Sequence, residues 1–242
     1  MTAEGAAEPP VAGRGALVRL EAVTRTYGDR VVTRVLRGID LEIDRGELCA
    51  LTGPSGSGKT TLLNIVGLLD RPTGGRVLLE GRDTGPLGDD ARTELRGATL
   101  GFVFQFHHLL PAFTALENVM MPLLARQGRL KPWIREKASG LLDEVGLSDR
   151  ASYRATDLSG GQQQRVAVAR ALVMDPLLVL ADEPTGNLDT EAGEQVLALI
   201  RRVNRARNTA FLLVTHDDHV AEACDRIVHM VDGQVDSDRR VG

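Results

Sequence analysis

Unbroken apolar runs recur along this chain. Glu47–Thr52, Leu177–Ala181 and Ala210–Val214 each hold four or five apolar residues without polar alternation. Such runs predict strands covered on both faces, as in a parallel sheet flanked by helices. Val18–Val23, Gly38–Ile43 and Gly75–Glu80 predict a small antiparallel sheet set against that core. Helical spacing fills the intervals, beginning with Thr61–Val66 after the first run. Thr114 and Glu117 form a capping box, after which Leu116, Val119, Met120, Leu123 and Leu124 share one face. Pro132 opens a second helix with Ile134, Ala138, Leu141, Leu142 and Val145 inward. Thr190–Asn204 is a third, with Val196, Ile200 and Val203 inward. The spacing therefore predicts an α/β domain over 16–242 with a helical insertion at about 106–157. Residues 1–15, dominated by Ala, Glu, Gly and Pro, are expected to form a flexible tail, and those after Gly233 a short polar one.

Chemistry enters after the first buried run. Gly53, Pro54, Ser55, Gly56, Ser57, Gly58, Lys59 and Thr60 fit the pattern G-x-x-x-x-G-K-[ST], and Thr61 continues into the helix. Strand, glycine loop and helix are the context this phosphate-binding motif requires. Glycine lets successive N–H groups converge on one anion, and the helix N-terminus adds partial positive charge. Lys59 is expected at the β/γ-phosphates, with the Thr60 hydroxyl on Mg²⁺. A second Mg²⁺ anchor is expected at Asp182, where the run 177–181 ends at the carboxyl edge of the sheet. Glu183, one residue on and pointing the other way by strand alternation, is the expected general base.

Ser159 and Gln162 also fit a capping box, opening a helix that continues through Arg165 to Leu172. Gly160 and Gly161 in its first turn each cost about 1 kcal/mol relative to Ala, so they suggest close approach of a charged ligand to the backbone. A P-loop already binds phosphates elsewhere in the chain. This helix end is therefore expected to grip the γ-phosphate of a nucleotide held by a second copy.

These motifs resemble the ATP-binding subunits of ABC transporters, with Leu158–Gln162 similar to that family's signature motif. The resemblance spans roughly residues 17–235 and implies a P-loop NTPase (RecA-like) core with a small antiparallel β subdomain and an inserted α-helical subdomain. It implies that Tyr27 stacks on adenine and that Gln105 senses Mg²⁺ and the membrane partner. Gly186–Asp189 would be the loop facing the other protomer, and His216 the switch histidine at the γ-phosphate. The implied cofactors are ATP and Mg²⁺. The implied assembly is a homodimer closing on ATP, docked to an integral membrane permease. The stretches 53–64, 67–74, 104–111, 115–119 and 158–165 are further similar to a bacterial group that includes the lipoprotein-release ATPase LolD, the macrolide exporter MacB and the division protein FtsE. The expected activity is ATP hydrolysis driving export, lipoprotein extraction or mechanotransmission. The alternatives are a nutrient-importer ATPase, which shares every catalytic motif, and an ATPase regulating a cell-envelope partner without transport.

Composition alters this picture little. A net charge of −4 over 242 residues leaves no nucleic-acid footprint. Cys49 and Cys224 are expected to be reduced and structural. No run approaches the ~18 apolar residues of a spanning helix, and no signal-peptide core is visible. A separate chain is thus expected to cross the bilayer, with this one cytoplasmic and peripheral on its inner face. His107 and His108 are expected at the surface, and His229 partly buried in a strand. A metal site at His216–His219 is disfavoured, because a helix is expected to start at Asp217.

Overall fold

The computed structural model describes residues 16–28 and 32–241. The tail expected at 1–15 lies outside them. Two sheets form the frame. The antiparallel one has the order β2-β1-β4-β5, from β1 (Val18–Tyr27), β2 (Thr33–Ile43), β4 (Gly74–Leu79) and β5 (Arg82–Asp83). The other has the order β10-β9-β3-β8-β7-β6, from β3 (Leu48–Thr52), β6 (Leu100–Phe104), β7 (Leu178–Asp182), β8 (Ala210–Val214), β9 (Arg226–Val231) and β10 (Gln234–Arg240). Its strands are parallel except β10, which returns antiparallel along β9.

The apolar runs are central strands because both of their faces are covered. Leu48, Ala50, Val179, Ala181, Phe211 and Leu213 point into one core. That core is closed by α3 (Ala115–Gln127), α4 (Pro132–Glu144), α5 (Gly160–Leu172) and α6 (Thr190–Arg207). Cys49, Leu51, Leu178, Leu180, Leu212 and Val214 point into the other, between α1 (Lys59–Val66) and the antiparallel sheet. The remaining helices are α2 (Asp89–Thr99) and α7 (Asp218–Glu222), the latter capped by Asp217. Among the described residues, no helix is long and apolar enough to cross a membrane.

The polar tail expected after Gly233 is in fact β10. Its side chains face solvent on nearly every position, so it carries no apolar signal. It is held by its backbone ladder and by the ion pairs Arg226–Asp238 and Arg239–Glu222. Both cysteines are free and buried, and His229 is partly buried beside the Thr52 hydroxyl, 3.0 Å from its Nδ1.

Candidate functional site

Thr52, Phe104, Asp182 and Val214 end adjacent parallel strands, so the loops that follow open on one edge of the sheet. The first is the glycine loop. Gly58 caps α1 at φ 99°, a left-handed conformation that L-residues avoid, and an added Cβ would stand 2.9 Å from Leu36 Cδ2. Gly56 is also left-handed at φ 82°, but the space above it is open to 4 Å. The N–H groups of Gly56, Gly58, Lys59 and Thr60 have no hydrogen-bond acceptor within the described residues. Lys59 Nζ donates to the Gly53 and Pro54 carbonyls, both at 2.8 Å, which keeps its charge over the loop. Free N–H donors, an ammonium and the exposed Thr60 hydroxyl fit a polyphosphate and a divalent cation.

Asp182 and Glu183 come from the central strand. Burial raises the Asp182 carboxyl above the usual range; the Glu183 charge adds to this and Lys59 opposes it. Glu183 is not set by strand alternation as the sequence suggested. Its backbone is left-handed at φ 47°, just past the end of β7, while its N–H still donates to the Val214 carbonyl at 2.9 Å. This turn brings its Oε1 to 2.7 Å from His216 Nδ1. His216 is 74% exposed at its side chain, and the bond to Glu183 raises its pKa. Gln105 follows the register partner of Asp182. Its Nε2 donates to Asn187 Oδ1 at 3.2 Å, and Asn187 Nδ2 donates back to the Gln105 carbonyl at 3.3 Å. Asp189 caps α6 through the Ala192 N–H at 2.8 Å.

Ser159 and Gln162 form the expected capping box at the start of α5. No hydrogen bond among the described residues joins Ser159, Gly160, Gly161 or Gln162 to the glycine loop. For one of the two glycines the structure adds a reason besides a ligand. A Cβ on Gly161 would stand 2.9 Å from Ala192 Cβ, so packing against the first turn of α6 requires glycine there without any ligand. Gly160 has only an ordinary contact at 3.4 Å with Leu188, and its openness remains in keeping with a ligand.

His107 is a second correction. It is half-buried, with its Nε2 sealed from solvent, and burial lowers its pKa. His107 and His108 are both left-handed, at φ 56° and 48°. Arg170 of α5 holds them, donating to both of their carbonyls at 2.6 Å. His108 is exposed, as expected.

Two further side chains, Gln164 and Arg170, were not legible as site residues, and Asn187 was legible only as part of the loop 186–189. Gln164 is fully buried, and its Nε2 donates at 2.7 Å to the Pro184 carbonyl, bracing the turn after Glu183 from α5. Asn187 engages Gln105, and Arg170 engages the loop after Gln105. A polar residue on an otherwise apolar helix face was the available signal for Gln164. Arg170 carried none, and Asn187 was marked only by its place in the loop 186–189. Tyr27, at the end of β1, is 39% exposed and donates its hydroxyl to Asp70 Oδ2 at 2.6 Å. Among the described residues no group of three or more His, Cys, Asp and Glu could hold a metal ion.

A family model described as "ABC transporter" matches residues 36–186. The chain is 60% identical over 221 residues to the lipoprotein-releasing system ATP-binding protein LolD 1 of Rhodopseudomonas palustris, covering 90% of this chain and 98% of that one. It is 50% identical over 223 residues to the LolD of Geobacter metallireducens, covering 92% and 99%. A dimeric structure of the ATP-binding cassette MJ0796 in a post-hydrolysis state, bound to ADP and Pi, superposes with TM-score 0.84 at 41% identity, covering 93% of this chain and 99% of that one. CbiO1 of Clostridium perfringens, described as part of the transporter complex CbiONQ, gives the same TM-score at 28% identity, covering 93% and 88%. The chain belongs to the ABC transporter family, as one of its ATP-hydrolysing subunits.

Proposed function

We propose that two copies of this chain close head to tail around two ATP molecules and drive a separate membrane permease that extracts lipoproteins. The carrying observation is the separation of the two phosphate-seeking elements. The glycine loop, Asp182, Glu183 and His216 share one sheet edge, whereas Ser159–Gln162 caps a different helix with no bond to that edge. A two-fold pairing lets each copy complete the site of the other.

In this reading the Lys59 ammonium and the free N–H groups of Gly56, Gly58, Lys59 and Thr60 hold the triphosphate. Thr60, Asp182 and Gln105 would hold Mg²⁺, which screens phosphate charge when bound. Glu183 takes the proton from the attacking water, with His216 orienting its carboxylate at 2.7 Å. Tyr27 supports the adenine. Ser159, Gly160, Gly161 and Gln162 approach the partner's γ-phosphate, and loss of that phosphate opens the pair.

The permease reading is supported by a cavity of about 620 Å³ between α2, β6, α3 and α5, lined by Leu100, Phe102, Phe104, Pro122 and Met174. It is mostly apolar and adjoins the segment 104–108. A cytoplasmic element of the permease would seat there, placing the chain on the inner face of the membrane. The names of the LolD relatives support the lipoprotein substrate.

The test for the dimer is disulfide cross-linking of a Ser55→Cys, Ser159→Cys protein. Cys49 and Cys224 are buried and do not compete. Cross-linked dimer should form with ATP and not without it. Its formation regardless of ATP, or its absence throughout, would refute the shared-nucleotide arrangement. Purification from detergent-solubilised membranes should recover a permease with few helices and a large external domain. A multi-helix permease beside a solute-binding protein would instead establish an importer.

A further inference from the structure

We propose that Asp70 and Arg25 form a positioning pair, which holds the Tyr27 ring at a set place relative to the glycine loop and so tunes recognition of the nucleotide base. The proposal rests on the adenine reading of Tyr27. Tyr27 belongs to the antiparallel sheet, while the glycine loop belongs to the parallel one. A ligand that spans both therefore depends on what ties the two sheets together.

The tie starts at the helix that the glycine loop opens. Beyond the end of α1, the N–H groups of Leu69 and Asp70 both donate to the Asn64 carbonyl, at 2.8 and 3.1 Å. Asp70 is thereby an extension of the helix that begins at Lys59. Arg92, itself 4% exposed, donates to the Asp70 carbonyl at 2.7 Å and pins its backbone from α2. From this fixed point, Oδ2 accepts the Tyr27 hydroxyl at 2.6 Å and Oδ1 pairs with Arg25 at 2.8 Å. Neighbouring bonds reinforce the link: Thr73 N–H to the Thr24 carbonyl at 2.8 Å, and Thr26 N–H to Thr73 Oγ1 at 3.0 Å.

Arg25 completes the arrangement. Its guanidinium carbon lies 4.3 Å from the Tyr27 ring centroid, occupying one face of the ring. The opposite face is the one left for a base. An exposed tyrosine without such anchors would lose rotamer freedom on stacking. Here that entropy is already spent in the free protein. A structural tie between sheets would use the same bonds, but it would make no distinction between ligands with and without a base.

Calorimetry with ADP and with inorganic pyrophosphate makes that distinction. Asp70→Ala should weaken ADP binding by about three- to ten-fold, the range of one ordinary net hydrogen bond because the Tyr27–Asp70 bond is solvent-exposed, and leave pyrophosphate binding unchanged. Unchanged pyrophosphate binding also shows that the glycine loop remains folded. Tyr27→Phe, which keeps the ring and loses the hydroxyl, should fall between wild type and Tyr27→Ala. Adding Asp70→Ala to Tyr27→Ala should change ADP affinity no further. Steady-state ATP hydrolysis by Asp70→Ala should show a raised KM at unchanged kcat. If Tyr27→Ala weakens ADP selectively while Asp70→Ala weakens both ligands equally, or neither, the positioning role is refuted and the adenine reading stands. If Tyr27→Ala itself leaves ADP affinity unchanged, the adenine reading falls and the proposal with it.

Discussion

Glu183 invites a comparison of two truncations. Its left-handed backbone, φ 47°, turns the chain out of β7 and aims the carboxylate at His216. Glu183→Ala and Glu183→Gly both delete that carboxylate. Both also lose the contact to His216, which is mostly solvent-exposed, so this loss cancels between them. What differs is the backbone. An L-residue in the left-handed region costs about 1–2 kcal/mol, from which glycine is exempt. Glycine in turn loses about 0.4–1 kcal/mol more unfolded-chain entropy than alanine. The net expectation is that Glu183→Gly is the more stable by about 1 kcal/mol, equivalent to about 2–4 °C in a chain of this size. At an ordinary position the order is reversed. Thermal unfolding of the nucleotide-free proteins, followed by circular dichroism, gives the difference directly. Both variants should hydrolyse ATP at least about 100-fold more slowly than wild type. An alanine variant as stable as the glycine variant, or more so, would refute the claim that a left-handed turn places this carboxylate.

Glu183→Gln keeps the backbone and shape, so it should abolish turnover while ATP-bound dimer accumulates on size-exclusion chromatography; normal turnover would remove Glu183 as the base. Lys59→Ala removes the ammonium held over the loop carbonyls and should lose nucleotide affinity by calorimetry. His216 should titrate by NMR above the ordinary histidine range, because its protonated form is favoured by the Glu183 carboxylate. That interaction favours the folded state fully below the unfolded histidine pKa and is lost as pH rises through the raised value. Glu183→Gln should bring the His216 midpoint back down. Gln164→Leu strips the buried Pro184 carbonyl of its donor and should cost about 1–3 kcal/mol in denaturant unfolding, together with slower hydrolysis.

Several features were written plainly in the chain. Residues 48–52, 178–182 and 210–214 form central strands because burial on two faces demands a continuous apolar run. The capping boxes at Thr114 and Ser159 follow from the hydrogen-bond needs of a helix start. The glycine loop is legible for a similar reason: left-handed backbone at Gly56 and Gly58 needs residues without a Cβ. In each case the cause lies within a few residues of its signature.

Tertiary structure decided the rest. β10 reads as a polar tail because an edge strand exposed on both faces is stabilised by its ladder with β9, and the ladder leaves no mark on side-chain periodicity. Gly161 reads as glycine for the sake of a ligand alone, whereas Ala192, thirty-one residues away in sequence, gives a packing reason as well by occupying the space of its Cβ. Gln164, Arg170 and Asp70 act on groups 20, 62–63 and 43 residues distant, respectively. Local pattern records what each segment must bury or cap by itself. Which side chain meets which across those distances is settled only when the two sheets and the helices between them pack together.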